Sequence, residues 1–237
     1  MTSVVALGLA LLSTTLSDVH NRNETLYKKR AILSSIDQYL EQPVSEMTNE
    51  ELAQIFKNSI EQRVVNTEGE LVDQSEVVEA GYKGGRAEDI DMSKEHKKPE
   101  DQRILPLFIY QKGEEKVFIT SVRGSGLWDA IWGHIALKED FRTLAGATFD
   151  HQAETPGLGA EIKDNPNFAE QFVGKKIYDK DGDYTAVKVM KGGAKNDWNQ
   201  VDGISGATVT SNGVTEMLQR GIKYYLPYFD EIDSNQQ

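Results

Sequence analysis

The sequence predicts an α+β domain in which helices pack on an antiparallel β-sheet core. Residues 104–122, ILPLFIYQKGEEKVFITSV, form two apolar, β-rich runs around Gly113 and Glu114, and this pattern predicts a β-hairpin that starts the sheet. Apolar residues at helical spacing predict amphipathic helices over 24–40 and 49–65. The chain contains no internal repeat of solenoid length. A hairpin flanked by helices is typical of the α+β class.

The other segments give shorter or less regular patterns. Residues 126–140 are compatible with a helix or a strand, 167–176 predict a short helix, and 184–192 alternate like an edge or meander strand. Residues 81–103 are polar and rich in turn formers, so we expect a long surface loop there. Asn49, followed by two glutamates, is the expected N-terminal cap of the second helix.

Composition excludes several classes of function. The 237 residues suit one main domain with appendages. Acidic residues outnumber basic ones by 38 to 26, and no basic run is interleaved with aromatic residues, so nucleic acid is not an expected partner. The chain has no cysteine, which excludes disulfides, thiol nucleophiles and cysteine-ligated clusters. The four histidines are scattered, and we expect no metal site.

The N-terminal stretch at 4–16 is apolar and free of charge. It is too short to cross a bilayer, no Lys or Arg precedes it, and no clear cleavage site follows it. We therefore expect residues 1–17 to be part of an N-terminal transmembrane anchor, with a buried core helix as the alternative. Residues 18–100 would form a helical and mixed extension packed on the main domain, 101–237.

The stretch DGISGATVTSNG, residues 202–213, is unusually rich in hydroxyl side chains and glycine. An apolar stripe follows it at helical spacing and predicts a helix that begins near residues 211–213 and ends before Pro227, with Ser211 or Thr210 as the cap. The loop would deliver hydroxyls beside the backbone N–H groups of a helix start, where phosphate binds well. The alternative is a capped turn without a ligand.

The segment DGISGATVT resembles the flavinylation motif of FMN-binding domains, in which a flavin transferase esterifies a threonine to the phosphate of FMN. The resemblance is greatest to NqrC, an FMN-binding component of the Na⁺-translocating NADH:quinone reductases, with the related FMN-binding component of Rnf complexes second. It implies that Thr208 carries FMN, with Thr210 as the near alternative. The cofactor-binding residues implied in the same loop are Asp202, Ser205, Gly206 and Ala207.

A second segment, HQAETPGLGAEI at 151–162, resembles the ETPGLG turn that lies against the isoalloxazine ring in that family. The resemblance implies that Glu154 or Thr155 bonds to the ring and that Leu158 packs on it; the matching residues are Glu154, Thr155, Gly157, Leu158 and Gly159. Residues 124–137 resemble a stretch that helps line the flavin pocket. Their tryptophans, Trp128 and Trp132, favour NqrC over the Rnf protein, although both residues could equally be core anchors. Lys191 and Lys195 could offset cofactor charge or simply be solvated.

The function implied by the resemblance is electron transfer by a covalently held FMN. The implied partners are the other membrane subunits of the quinone reductase and the flavin transferase, with electrons passing from an iron–sulfur centre to this FMN and then to a second covalent FMN. The implied location is the bacterial inner membrane, with the domain on its extracytoplasmic side. The alternatives are an Rnf-type electron carrier and an extracytoplasmic binding module without a redox cofactor.

Overall fold

The computed structural model describes residues 22–113 and 115–236. The apolar stretch at 4–16 lies outside the described residues, and so does the anchor expected there. Among the residues that the structure describes, no helix is both long enough and apolar enough to span a membrane.

A five-stranded antiparallel sheet forms the centre of the molecule, with its strands in sequence order. Its strands are β1 Ile60–Asn66, β2 Ile104–Lys112, β3 Glu115–Ser125, β4 Ala130–Lys138 and β5 Leu144–His151. The predicted hairpin is confirmed, because β2 and β3 pair from Lys112 and Glu115 at the turn to Leu107 and Thr120. The ambiguous segment 126–140 contains β4. The predicted α+β class is therefore confirmed.

Each face of the sheet supports a hydrophobic core, because successive strand residues point to opposite faces. Leu107 and Ile109 of β2 pack in one core with α7 Thr208–Lys223 and α8 Leu226–Gln236. Phe108 and Tyr110 belong to the other core, with residues from a helix over 22–34 (α1) and from α2 Asn49–Ser59. The sheet is thus a middle layer, and the described part of the predicted extension contributes β1 to it.

The predicted helix over 49–65 is wrong in its second half. Helix α2 ends at Ser59, and Ile60–Asn66 form β1, which pairs with β2 from Ile60 opposite Tyr110 to Asn66 opposite Ile104. The pairing with β2 outweighs the helical spacing of the apolar residues. The first predicted helix is also shorter, since α1 ends at residue 34 and a 3₁₀ turn follows at Asp37–Tyr39.

The cap of α2 is Thr48 and not Asn49. The Thr48 hydroxyl accepts a hydrogen bond from the Glu51 N–H at 3.2 Å, and the Glu51 carboxylate accepts one from the Thr48 N–H at 2.8 Å. This reciprocal pair is a capping box. It places Asn49 in the first turn of the helix.

Residues 81–103 are not simply a surface loop. The segment contains the 3₁₀ turns Ala87–Asp89 and Glu100–Gln102 and the short helix α4 Met92–Glu95, and it follows α3 Gln74–Glu79. Its Glu95 is fully buried, forms an ion pair with Lys98 at 2.7 Å and accepts the Ile104 N–H at 3.0 Å. The segment therefore packs against the start of β2.

The region between β5 and α7 contains short elements, which are α5 Glu161–Asp164, α6 Pro166–Glu170, β6 Lys188–Met190 and β7 Gln200–Asp202. The helix predicted over 167–176 is α6, which is shorter than expected. The strand predicted within 184–192 is β6, but it pairs in parallel with β7 outside the main sheet. Strand β7 leads directly into the hydroxyl-rich loop.

Candidate functional site

Helix α7 begins at Thr208, three residues before the predicted start. Both hydroxyls expected to cap it have other partners: Thr210 donates to Glu154, and Ser211 accepts the Ile204 N–H at 3.2 Å. The cap position is Ala207, and no described side chain makes a capping hydrogen bond there. The helix ends at Lys223, before Pro227 as predicted. The predicted helix is therefore confirmed, but its predicted start and cap are wrong.

The uncapped start leaves backbone donors available. The N–H groups of Thr208, Val209 and Thr210 have no acceptor within the helix, and the helix dipole adds partial positive charge at this end. Gly206, just before the helix, has a φ of 77°, in the left-handed region. A Cβ on Gly206 would lie 2.7 Å from Leu158 Cδ2. The loop therefore approaches the 151–162 segment closely, as the two resembling motifs require.

The two threonines at the helix start differ in their surroundings. Thr210 is 1% exposed and its hydroxyl donates to Glu154 Oε2 at 2.5 Å. Thr208 is half-buried, and its hydroxyl has no hydrogen-bond partner within residues 22–113 and 115–236. Of these two hydroxyls, the one on Thr208 is available for chemistry.

Glu154 lies beneath the site and does not present an open carboxylate. It is 5% exposed; Oε1 accepts the Trp128 N–H at 2.9 Å, and Oε2 accepts the Thr210 hydroxyl. Its own N–H donates to His151 Nδ1 at 3.1 Å. The expected hydrogen bond from Glu154 to a flavin ring therefore competes with two bonds that the side chain already makes.

Large apolar side chains are exposed on the segments that meet at the start of α7. Trp128 is 68% exposed, and its indole Nε1 donates to Thr155 Oγ1 at 3.1 Å. Leu158 is 41% and Val209 52% exposed. We call Trp128, Leu158 and Val209 the apolar rim. Exposed apolar groups beside polar donors are typical of a ligand site.

The segment that carries Glu154, Thr155 and Leu158 is held at both ends. Asp150, at the end of β5, bonds to the Tyr27 hydroxyl of α1 and forms an ion pair with Lys163 of α5 at 2.9 Å. Burial opposes the charged form of Lys163, but hydrogen bonds to Tyr27 and Asp150 raise its pKa above the ordinary value. No sequence signal indicated this cluster, because Tyr27 and Asp150 are 123 positions apart.

Other predicted residues lie at or away from this site. Asp202 accepts the Ala194 N–H at 2.7 Å and so binds the 191–195 loop, which also carries Lys191 and Lys195. Ser205 is exposed in the loop before α7, and Gly157 adopts a φ of 73° in the turn before Leu158. These positions form the surroundings of the helix start.

Trp132 lies on the opposite face of the sheet. Its neighbour Ile131 packs in the core with α7, so Trp132 points the other way and lines a cavity of about 410 Å³ beside α1. Arg123 lies over its ring at 5.4 Å. In that cavity, burial lowers the pKa of His134 to about 4. Trp128, and not Trp132, is the tryptophan at the site.

The residues present fit a phosphorylated flavin. Free N–H groups and an unpartnered hydroxyl suit the phosphate, and the apolar rim suits a planar ring. The described residues contain no group of three His, Asp or Glu side chains that could hold a metal ion.

Comparisons with known proteins agree with this chemistry. The FMN-binding domain family matches residues 126–223, which include β4, β5 and α7. The NqrC component of the Na⁺-translocating NADH-quinone reductase of Vibrio vulnificus strain YJ016 is 34% identical over 198 residues, 79% of this chain and 76% of that protein. The protein of the same name from Pseudomonas aeruginosa is 46% identical over 110 residues, 45% of this chain and 41% of that protein.

Solved structures give the same result. The crystal structure of the Parabacteroides distasonis NqrC aligns with a TM-score of 0.75 and 34% identity, covering 90% of this chain and 96% of that one. The Shewanella oneidensis NqrC structure, at 24% identity, aligns with a TM-score of 0.70 over 91% of this chain and 99% of that one, which supports the fold. The chain therefore belongs to the NqrC family of Na⁺-translocating NADH-quinone reductase subunits, and residues 126–223 are its FMN-binding domain.

Proposed function

We propose that this chain is the electron-carrying flavoprotein NqrC of a Na⁺-translocating NADH-quinone reductase and holds FMN through a phosphoester on Thr208. The observation that carries the attachment site is the Thr208 hydroxyl, which is partly exposed and unpartnered among the described residues at the first position of α7. Thr210, the alternative, is buried and already bonded to Glu154.

The helix start supplies what a phosphate needs. Backbone N–H groups of the first turn donate hydrogen bonds, and the helix dipole favours negative charge there. A phosphoester on Thr208 would place its phosphate beside these donors without moving the helix. Ala207 at the cap position supports this arrangement, because it brings no side-chain oxygen that would compete for the same N–H groups.

The apolar rim is suited to the ring of the cofactor. When bound, a flavin supplies the redox chemistry itself, so the protein contributes contact surface and electrostatics. Trp128 offers an aromatic face, and its bond to Thr155 Oγ1 fixes the indole relative to the 154–159 turn. Leu158 and Val209 add apolar contact from the other two segments. An open rim of this kind also lets a partner protein approach the ring.

The partners that we propose are the other membrane subunits of the reductase and a flavin transferase that forms the ester. Electrons would arrive from an iron–sulfur centre and pass to a second covalent FMN. Residues 1–17 would contribute to a single anchor in the bacterial inner membrane, with residues 22–236 on its extracytoplasmic side. The relatives reported above belong by name to the Na⁺-translocating reductase, which favours this assignment over an Rnf-type electron carrier.

The test is the intact mass of the denatured protein after co-expression with a flavin transferase. Wild type and Thr210→Ala should gain the mass of one FMN less one water, and Thr208→Ala should gain nothing. An adduct that persists in Thr208→Ala would overturn the attachment site. A wild-type chain without any adduct, beside an active transferase, would favour the binding-module alternative.

A further inference from the structure

The buried carboxylate of Glu154 joins three segments of the chain. Oε1 accepts the N–H of Trp128 at 2.9 Å, and Oε2 accepts the hydroxyl of Thr210 at 2.5 Å. One side chain therefore connects the 126–129 turn and the first turn of α7 to the 154–159 turn. These three segments carry the apolar rim and Thr208.

Two glycines allow this arrangement. A Cβ on Gly126 would lie 2.5 Å from Glu154 Oε1, and a Cβ on Gly159 would lie 2.2 Å from Oε2 and 2.7 Å from Thr210 Oγ1. Backbone from two segments thus encloses the carboxylate. Gly157 differs, because a Cβ there would meet nothing within 4 Å. The glycines at 126 and 159 are accordingly explained by Glu154 and do not require a bound ligand.

The bond to Thr210 also orients Thr208. Residues two positions apart on an α-helix point about 200° apart, because each residue turns the helix by about 100°. Thr210 points inward to Glu154, so Thr208 is directed away from it. Fixing the rotation of the first turn fixes where the Thr208 hydroxyl emerges.

From this geometry we infer that Glu154 is a positioning residue that clamps Trp128 and α7 together around the flavin, and that its negative charge lowers the midpoint potential of that flavin. The inference rests on the proposed attachment of FMN to Thr208. Glu154 acts through Trp128 and Thr210 and does not itself bond to the ring. Its charge, placed near the site and away from bulk water, disfavours the addition of an electron to the cofactor.

The variants separate the clamp from the charge. Glu154→Ala removes both. Glu154→Gln keeps the clamp, since its amide oxygen can accept the Trp128 N–H and its amide N–H can donate to Thr210 Oγ1, but it removes the charge. Thr210→Val removes one of the two bonds with little change of shape. Glu161→Ala, in α5, is the matched control for loss of a glutamate nearby.

Three readouts are measured: exchange protection of the Trp128 amide in the flavin-free protein, and the fluorescence and midpoint potential of the flavinylated protein. A contacting indole quenches flavin emission by electron transfer, so looser Trp128 packing makes the flavin brighter. We expect Glu154→Ala to lose at least about tenfold of the amide protection and to brighten the flavin several-fold, since tenfold corresponds to about 1.4 kcal/mol, the size of one hydrogen bond to a charged group. Glu154→Gln should keep wild-type protection and brightness while its midpoint potential rises. Thr210→Val should brighten less than Glu154→Ala, and Glu161→Ala should match wild type.

Wild-type amide protection and flavin brightness in folded Glu154→Ala would overturn the clamp. If Glu154→Ala does not fold, unchanged brightness in Thr210→Val overturns it instead. An unchanged potential in Glu154→Gln would refute the role of the charge. Failure of wild type to take up FMN would count against the proposed function only, because the amide exchange of the flavin-free proteins still decides the clamp.

Discussion

Helices α2 and α7 both begin with a threonine near a glutamate partner, but they use the pair differently. At α2, Thr48 and Glu51 are three residues apart and satisfy each other's backbone N–H groups. At α7, Thr210 bonds to Glu154, 56 positions away, and no described side chain caps the helix. A helix start that serves only stability satisfies its N–H groups locally. The start of α7 leaves them open, as an anion site requires.

The largest expected effect breaks the function of α7 and leaves its fold intact. Thr208→Ala should abolish the FMN adduct completely, because it removes the ester oxygen. The melting temperature of the flavin-free protein should stay close to wild type, since the Thr208 hydroxyl has no partner in the described chain. Calorimetry beside intact mass checks both parts. A large drop in melting temperature would show that the Thr208 hydroxyl also stabilises the fold, against the contrast drawn with α2.

The next effect comes from crowding the carboxylate that replaces a local cap at α7. Gly159→Ala should lower the free energy of unfolding by about 1–3 kcal/mol, as overpacking in a tight interior does. It should also reduce the exchange protection of the Trp128 amide. Gly157→Ala is the control: its left-handed backbone makes alanine unfavourable by about 1–2 kcal/mol, but the Trp128 amide should stay protected. Equal protection in both variants would contradict the enclosure of Glu154 described above.

A smaller effect is expected at the conventional helix start. Thr48→Ala should lower the free energy of unfolding by about 1 kcal/mol, the usual result of removing a capping hydroxyl. Flavin loading should not change, because α2 packs on the opposite face of the sheet. Denaturant titration and intact mass measure the two quantities. A loss of flavin in Thr48→Ala would mean that the two helix starts are not independent.

The smallest effect is the pH dependence of the α2 cap. Hydrogen bonds from the backbone and side chain of Thr48 lower the pKa of Glu51 below its usual 4.5. A lowered pKa in the folded state contributes stability above the unfolded pKa, and this contribution is lost as pH falls through the folded pKa. The stability difference between wild type and Glu51→Gln should therefore be present at neutral pH and shrink as the pH falls below the usual pKa of 4.5. A difference that grows on acidification would contradict the capping box.

Local patterns made much of the fold predictable. The β2–β3 hairpin was predictable because its turn and its apolar runs are contiguous. Strand β1 was not, because Leu52, Ile55, Phe56 and Ile60 continue the helical spacing, and only the partner strand β2, which is remote in the sequence, decides the conformation. The placement of Trp132 likewise depends on which face of β4 packs against α7.

The candidate site divides in the same way. Short contiguous motifs indicated Thr208, Thr155 and Leu158, because loop residues that contact a ligand lie next to one another in the chain. The start of α7 was misplaced because the partner of Thr210 is remote, and a hydroxyl at that spacing usually caps its own helix. The clamp through Glu154 could not be read from either motif alone.

The attachment of FMN to Thr208 is tested most directly by fragmentation mass spectrometry of the tryptic peptide 196–220 from wild-type protein matured with a flavin transferase. This peptide contains both Thr208 and Thr210, so the fragment ions distinguish them. We expect every fragment that carries FMN to include Thr208, and fragments beginning at Val209 to carry none. FMN on Thr210, or on any other residue of the peptide, would contradict the proposed attachment.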